Sequence, residues 1–259
     1  MKKTALITGA SSGIGKELAF IHAKNGGDLI LIARSINKLN EIKNTLETQY
    51  KIKVFVIQKD LTLPDATKEV YKEVKTKNIT IDYLINNAGF GGIGKFHERD
   101  MQQDISMINL NITALTTLTH YFLQDFTAKN SGKILNVSST ASFFPGPLQA
   151  VYFATKAYVT SFTNAIAEEL HDTNITITNL MPGATETDFA KISGMDKTAM
   201  FDKTTSAKSV ALDGYNGMLK GKLDVISGLT FSQKIMTAMV PLTPKKVILS
   251  QVRKMQEVK

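Results

Sequence analysis

Short apolar segments recur along most of the chain, and they are nearly continuous in hydrophobic character rather than alternating with polar residues. Strands that are buried on both faces of a parallel sheet have this character. They cover residues 4–8, 28–33, 53–58, 82–86, 133–138, 174–180 and 223–227. Segments with helical spacing lie between them, at 14–24, 36–48, 64–77, 101–128, 149–171 and 204–220. The alternation predicts an α/β fold: a doubly wound parallel sheet of about seven strands with helices on both faces, in one domain over residues 1–259.

A glycine-rich turn separates the first predicted strand from the first predicted helix, in the run TGASSGIG from Thr8 to Gly15. Glycines there allow the backbone to approach a pyrophosphate, which the free amides at the start of the helix then hold. An ordinary strand-to-helix turn is the alternative, but the position after strand one favours nucleotide binding in a Rossmann fold. The residues predicted to bind the cofactor here are Gly9, Ser11, Ser12, Gly13, Ile14 and Gly15.

The second predicted strand ends without an acidic residue, and Arg34 follows it directly. In dinucleotide sites an acid at this point binds the ribose 2′-hydroxyl, whereas an arginine accommodates a 2′-phosphate. Asp28 begins the strand and lies at the wrong end for the first role. The sequence therefore predicts NADP(H) rather than NAD(H), and Lys38 either assists Arg34 or belongs to a solvated helix face.

The next two strand ends carry further cofactor candidates, because the carboxyl ends of parallel strands meet at one edge of the sheet. Asp60 is placed to reach the adenine base, and the small residues after the fourth strand leave room for a nucleotide. The candidates are Asp60, Leu61, Asn87, Ala88 and Gly89.

Tyr152 and Lys156 are four residues apart in a predicted helix, so both should lie on one helical face. A lysine cation beside the phenol is expected to lower its pKa and to make Tyr152 a usable acid or base near neutral pH. Ser139, beside the end of the fifth strand, is placed to hold a carbonyl or alcohol oxygen against Tyr152. An amphipathic helix with an exposed lysine is the plain alternative.

Taken together, these motifs resemble the short-chain dehydrogenase/reductase family in its form of roughly 250 residues. The resemblance runs from Thr8 to about Asp188 and rests on four motifs in order. They are TGxxxGxG from Thr8, NNAG from Asn86, a serine thirteen residues before YxxxK, and Pro182-Gly183.

The resemblance implies a role for each matching residue. Tyr152 is expected to be the catalytic acid/base, Ser139 to orient the substrate oxygen, and Lys156 to tune Tyr152 and bind the nicotinamide ribose. The family's catalytic asparagine maps to Asn109, which would hold a water linking Lys156 to solvent, while Asn111 would face elsewhere. Ser138 rivals Ser139, and the spacing favours Ser139.

The same resemblance implies that the loop after the sixth strand lies beside the nicotinamide. A threonine hydroxyl is expected to contact the carboxamide there, with Thr187 the first choice and Thr185 the second. The cofactor residues implied for this loop are Pro182, Gly183, Thr185 and Thr187. Residues 189–201 are expected to form a mobile substrate lid, with a fixed surface helix as the alternative. An apolar wall is predicted from Phe90, Phe96, Phe143, Phe144, Phe189 and Met195.

Residues 232–259 form a basic tail that departs from the minimal family pattern. Ile248, Val252 and Met255 are spaced for one face of an amphipathic helix, which would lie on a membrane surface, on a partner subunit or on its own domain. This tail has six basic residues and one acidic residue, so it accounts for most of the net charge of +8. With no nucleic-acid-binding motif elsewhere, no nucleic-acid partner is expected.

Composition narrows the remaining function classes. The chain has no cysteine and four scattered histidines, so no metal site is predicted. The first apolar run ends at the glycine-rich turn, which argues against an export signal and favours a cytoplasmic protein. The expected function is NADP(H)-dependent interconversion of a carbonyl and an alcohol on an apolar small molecule, in a homodimer or homotetramer. A non-catalytic NADP sensor or scaffold, and a lyase or epimerase on the same fold, are the rival classes.

Overall fold

A computed structural model describes residues 2–257, and the first residue and the last two of the predicted domain and tail lie outside the described residues. Its centre is a parallel sheet with strand order β3-β2-β1-β4-β5-β6-β9. The strands are β1 (Thr4–Thr8), β2 (Asp28–Ala33), β3 (Val54–Gln58), β4 (Tyr83–Asn86), β5 (Gly132–Val137), β6 (Ile175–Pro182) and β9 (Asp224–Ser227), and a separate pair is formed by β7 (Thr185–Glu186) and β8 (Thr205–Ser206). The seven predicted strands and the doubly wound parallel sheet are thus confirmed.

Helices lie between the strands and after the last one. They are α1 (Gly13–Lys24), α2 (Ile36–Tyr50), α3 (Ala66–Thr76), α4 (Met101–Ile108), α5 (Leu115–Ala128), α6 (Ala150–Glu169), α7 (Asp188–Ser193), α8 (Ala207–Leu219), α9 (Phe231–Met239) and α10 (Lys245–Gln256). Within residues 2–257, no helix combines the length and the hydropathy that crossing a membrane requires.

Two hydrophobic cores cover the two faces of the sheet, because successive residues of a strand point to opposite sides. In β1, Ile7 packs with Leu18 of α1, whereas Leu6 packs with Val70 of α3 and Phe122 of α5. All five side chains are at most 1% exposed. Burying each of these large apolar side chains stabilises the fold by about 1.5–3 kcal/mol, which explains the unbroken apolar runs in the sequence.

The single helix predicted over residues 101–128 is interrupted in the structure. A wider π-helical turn, Asn109–Ala114, separates α4 from α5. Asn111 lies in this turn, and its amide donates to the Phe90 carbonyl and accepts from the Phe90 backbone N–H. The extra residue per turn changes the direction of the side chains that follow it.

The basic tail packs on its own domain. Ile248 and Val252 of α10 are 8% and 4% exposed, and they join a third cluster of buried residues around Tyr152. We call this the Tyr152 cluster. Its buried members are Met107, Ala141, Tyr152, Phe153, Met195, Ile248 and Val252. The prediction that Met255 shares the buried face is wrong: its side chain is 38% exposed, and Gln256 occupies the interior instead.

The segment predicted as a lid forms α7 and two short turns, Met195–Lys197 and Ala199–Phe201. Met195 is 2% exposed and belongs to the Tyr152 cluster, while Ile192 is 68% exposed. The segment therefore has one apolar side against the domain and one toward solvent.

Candidate active site

A cleft of about 640 Å³ lies at the carboxyl edge of the sheet. The predicted site residues line it, except Gly15 and Asn109. The chain order of the strands reverses between β1 and β4, and ligands of doubly wound sheets bind at such a point. The volume falls within the usual range for small-molecule sites, about 300–1,000 Å³. Among residues 2–257 no group of histidines and acids has the arrangement to hold a metal ion.

The glycine-rich turn forms the floor of the cleft, and two of its glycines have left-handed backbones. Gly9 and Gly13 have φ of 65° and 53°, a region that favours glycine. A Cβ on Gly9 would lie 2.9 Å from the Ala88 Cα, and one on Gly13 would lie 2.9 Å from the Thr187 Cγ2. The absence of side chains leaves the first amides of α1 open to the cleft, which suits a pyrophosphate.

Asn87 fixes this turn in place. Its side-chain amide donates to the Thr8 and Gly9 carbonyls at 3.0 and 3.3 Å, and the Thr8 hydroxyl accepts from the Asn87 and Ala88 backbone amides at 3.0 Å each. The β1 and β4 ends are thereby joined. Asn87 lines the cleft, as do Ala88 and Gly89.

The far end of the cleft is lined by Arg34, Lys38, Asp60 and Leu61. In the described part of the chain the Arg34 guanidinium makes no hydrogen bond or ion pair, so it is available to a phosphate. The Asp60 carboxylate accepts hydrogen bonds from the Thr62 backbone amide and hydroxyl at 3.0 and 2.7 Å. Although burial raises the pKa of Asp60, these bonds and the nearby Arg34 charge outweigh it and hold the pKa below its usual value.

Ser139, Tyr152 and Lys156 come together at the middle of the cleft. Tyr152 and Lys156 are 7% and 5% exposed, and the Lys156 Nζ lies 5.9 Å from the centre of the Tyr152 ring. The Ser139 hydroxyl accepts from the Ala141 amide at 3.1 Å and opens a short turn after β5. Its rival Ser138 is instead engaged with the Lys156 carbonyl, at 2.9 Å, so the geometry favours Ser139.

The direction of the Tyr152 pKa differs from the sequence-based expectation. Burial raises the pKa of Tyr152 to about 12, and the Ser139 hydroxyl offsets this only in part. Lys156 does not lower it, because its ammonium group donates to the Val137 carbonyl at 2.9 Å. Burial also lowers the pKa of Lys156 to about 8. Near neutral pH the phenol therefore keeps its proton and suits the role of an acid.

The two asparagines of the π-helical turn exchange their predicted places. The Asn109 amide points away from the centre and donates to the Thr62 carbonyl at 3.3 Å. Asn111 is 1% exposed and donates to the Thr155 hydroxyl at 3.0 Å. A Cβ on Gly89 would lie 3.0 Å from the Asn111 Oδ1 and 3.4 Å from the Lys156 Nζ. Both polar groups therefore lie beside Gly89. The assignment of Asn109 to this position is wrong.

The loop after β6 closes the cleft opposite the glycine-rich turn. Pro182, Gly183, Thr185 and Thr187 all line it. The Thr185 hydroxyl donates to the Gly183 carbonyl at 2.9 Å, and the Thr187 hydroxyl caps α7 by accepting from the Phe189 amide at 3.3 Å. Both threonines thus line the cleft, and a contact of either one with the carboxamide stays a prediction.

The remaining wall of the cleft is mostly apolar, with Gln103, Gln149 and the acidic Asp188 as its polar members. Of the predicted wall residues, Phe90, Phe144, Phe189 and Met195 line it, whereas Phe143 and Phe96, the latter 58% exposed, do not. Sequence reasoning missed several members, because their orientation depends on contacts distant in the chain. They are Gly91, Gln103, Gln149, Phe153, Ile192 and Phe201.

Comparisons with known proteins agree with this geometry. The family model described as short chain dehydrogenase matches residues 3–197. The NADP-dependent 3-hydroxy acid dehydrogenase of Schizosaccharomyces pombe is 38% identical over 195 residues, which are 73% of this chain and 74% of that protein. The human 17-beta-hydroxysteroid dehydrogenase type 3 is 35% identical over 74% of this chain, but over only 62% of its own length.

Solved structures give the same result. A short-chain dehydrogenase from Sphingobium yanoikuyae in complex with NADPH superposes with a TM-score of 0.84 at 29% identity, and the match covers 99% of both chains. The bulky-bulky ketone specific alcohol dehydrogenase from Comamonas testosteroni has a TM-score of 0.79 at 28% identity, over 93% of each chain. The likeness therefore includes the tail.

Proposed function

Because this chain belongs to the short-chain dehydrogenase/reductase family, we propose that it interconverts a carbonyl compound and its alcohol with NADP(H), using Tyr152 as acid/base. The observation that carries the proposal is the shared cleft. It holds Ser139, Tyr152 and Lys156 next to a glycine-rich turn that has room for a pyrophosphate. The dehydrogenase names of the relatives support the reaction class.

Proton transfer is the part of the reaction that the chain itself performs. NADPH, when bound, supplies the hydride that the carbonyl carbon accepts. Tyr152 donates its proton to the carbonyl oxygen as the C–O bond becomes single, and Ser139 donates a hydrogen bond to the same oxygen. With a pKa near 12 in the nucleotide-free protein, the phenol is protonated before the reaction starts. In the oxidative direction the same groups act in reverse.

Lys156 and Asn111 assist this proton transfer indirectly. The buried Lys156 ammonium donates to the Val137 carbonyl in the nucleotide-free protein. When Tyr152 gives up its proton, the ammonium turns toward the phenolate, and its charge then stabilises that ion. Asn111 lies with Lys156 beside Gly89, so it is the residue of the pair that can hold a water between Lys156 and solvent. This assigns to Asn111 the role that the sequence motif suggested for Asn109.

Arg34 supports the choice of NADP(H) over NAD(H). The residue follows β2, makes no side-chain hydrogen bond or ion pair in the part of the chain that is described, and lies with Lys38 at the far end of the cleft. The name of the Schizosaccharomyces pombe relative and the NADPH in the Sphingobium yanoikuyae structure point the same way. Arg34→Ala is expected to lower kcat/KM with NADPH far more than with NADH. An unchanged ratio of the two efficiencies would contradict this reasoning.

The experiment that tests the function follows NADPH oxidation with aldehydes, ketones, 3-oxoacyl thioesters and steroids. Tyr152→Phe is expected to abolish turnover while NADPH still binds, because only the phenolic proton is removed. Tyr158→Phe is the matched control, since Tyr158 lies on the same helix, is 37% exposed and contacts Thr116 rather than the cleft. Normal turnover in Tyr152→Phe would refute the mechanism. Tight NADPH binding without turnover in the unmodified protein would favour the sensor class.

We also propose a cytoplasmic homodimer or homotetramer that assembles through the helices of residues 101–128 and α6. The exposed Tyr158 and the half-buried Phe162 form a stacked pair on α6, with ring centres 5.6 Å apart. Their position supports a contact between subunits, because aromatic side chains are enriched at interfaces. Sedimentation equilibrium tests this assembly, and a monomer at micromolar concentration would refute it.

A further inference from the structure

The cleft wall contains a buried side chain with no hydrogen-bond partner for any of its polar atoms. In the described part of the chain, Gln149 is the one residue of the wall with this property. It is 1% exposed, and neither its Oε1 nor its Nε2 has a hydrogen-bond partner. Leaving a buried polar group unsatisfied costs about 1–3 kcal/mol. Native proteins accept such a cost where a ligand completes the bonding.

The backbone around Gln149 holds it in this unfavourable place. The preceding residue, Leu148, has a left-handed conformation with φ of 67°, which is rare for a residue of its size. The Leu148 carbonyl accepts from the Gly94 amide at 2.8 Å, which ties this loop to the loop after β4. Gln149 occupies the N-cap position of α6, yet its side chain caps no amide there. Strain of this kind tends to occur at functional sites.

The chemistry of the surroundings limits what Gln149 can bind. In the part of the chain that the structure describes, the wall opposite the nucleotide end has no lysine, arginine or histidine. A carboxylate would therefore meet no cation there, and it would also leave the Gln149 carbonyl oxygen without a donor. A hydroxyl or a carboxamide can both donate to Oε1 and accept from Nε2.

The position of Gln149 sets where that group lies on the substrate. Gln149 and Tyr152 are three residues apart at the start of α6, a spacing that puts two side chains on neighbouring parts of one helix face. Phe144 and Phe153 also line this part of the cleft, so the rest of the substrate meets apolar side chains.

We propose that Gln149 is a specificity-determining residue that hydrogen-bonds a second, neutral polar group of the substrate, a hydroxyl or carboxamide a few bonds from the reacting carbonyl. The inference rests on the proposed function and narrows the substrate class to neutral hydroxy- or amido-ketones and their alcohols. Free keto acids are excluded as preferred substrates.

The test uses butyrophenone, its ω-hydroxy derivative and its ω-carboxylate as substrates for the full chain with NADPH. The hydroxy ketone is expected to have a kcat/KM at least about tenfold above that of butyrophenone, as for one good hydrogen bond to a buried group. Gln149→Leu is expected to reduce this ratio to about one, because leucine fills a similar volume without polar atoms. Equal efficiency for the first two ketones in the unmodified protein, or a preference for the carboxylate, would overturn the proposal.

A matched variant and a second measurement separate this inference from the function on which it rests. Asn164→Leu removes another buried unpaired amide oxygen of α6, outside the cleft, and is expected to keep the tenfold ratio. Gln149→Leu is also expected to raise the thermal midpoint by roughly 2–4 °C, because it removes an unsatisfied amide. A lower midpoint would overturn the inference even if none of the ketones is reduced, whereas a complete lack of turnover bears on the proposed function alone.

Discussion

Replacing Lys156 with methionine is expected to change how the stability of the nucleotide-free protein depends on pH. The buried ammonium has a pKa of about 8, against 10.5 for an exposed lysine. Each tenfold change in proton affinity is worth about 1.4 kcal/mol, so burying the charged form costs about 3 kcal/mol. Methionine has a similar length and no charge, so the variant avoids this cost.

The sign of the effect follows from proton counts. Between pH 8 and 10.5 the unfolded chain keeps the Lys156 proton and the folded protein has released it. The free energy of unfolding of the unmodified protein therefore rises with pH in this window, relative to the variant. Below pH 8 the full cost remains. At pH 7 the variant gains less than about 3 kcal/mol, because the Val137 carbonyl loses its donor.

Urea unfolding at pH 7, 8, 9 and 10 measures this difference. Between pH 8 and 10 we expect the free energy of unfolding of the unmodified protein to rise by about 2 kcal/mol relative to that of the variant. The comparison stops at pH 10 because ordinary tyrosines, with a pKa of about 10, become mostly ionised above it. Parallel pH profiles for the two proteins would refute the conclusion that burial lowers the Lys156 pKa.

Three further predictions test other parts of the site and the fold. Asn111→Ala is expected to lower kcat about a hundredfold in steady-state assays, whereas Asn109→Ala should change kcat by less than about twofold. The reverse result would restore the sequence-based assignment of Asn109. Gly91→Ala places a Cβ 3.2 Å from the Tyr152 Cδ2, so kcat/KM should fall about tenfold more for a bulky ketone than for a small one, and equal losses would contradict this. Burial lowers the pKa of His22, whose Nδ1 lies 2.8 Å from the Tyr215 hydroxyl. Stability should therefore fall as pH drops below about 6.5, and His22→Gln should lose that dependence in urea unfolding, so an unchanged acid sensitivity would count against it.

The sheet could be predicted closely because strand formation here depends on local composition. Residues buried on both faces give unbroken apolar runs, and every predicted strand agrees with the structure to within two residues. The helix over residues 101–128 was not fully predictable. Its π-helical turn depends on Asn111 bonding to the Phe90 backbone, twenty-one residues away in the chain. A helical pattern contains no sign of such a contact.

The site residues also divide into those that local sequence positions and those that distant contacts position. Ser139, Tyr152 and Lys156 lie together because each is fixed by a strand end or by spacing within one helix. The resemblance to the family maps its catalytic asparagine to Asn109 and turns Asn111 elsewhere, whereas the wider turn brings Asn111 to the site. The burial of Gln149 depends on a left-handed Leu148 and on a bond from Gly94, and neither is visible in the sequence.

Because α10 packs against the Tyr152 cluster, the nucleotide-binding floor of the cleft and the surroundings of Tyr152 are completed at different stages of synthesis. A ribosome releases the chain from its N-terminus, and all seven strands of the sheet precede Lys245. A nascent chain can therefore complete the nucleotide-binding floor while the cluster beneath Tyr152 still lacks Ile248 and Val252. A chain cleaved before α10 would lack the packing of Ile248 and Val252 on the Tyr152 cluster, so the surroundings of the catalytic tyrosine are completed by the last part of the chain to be synthesised.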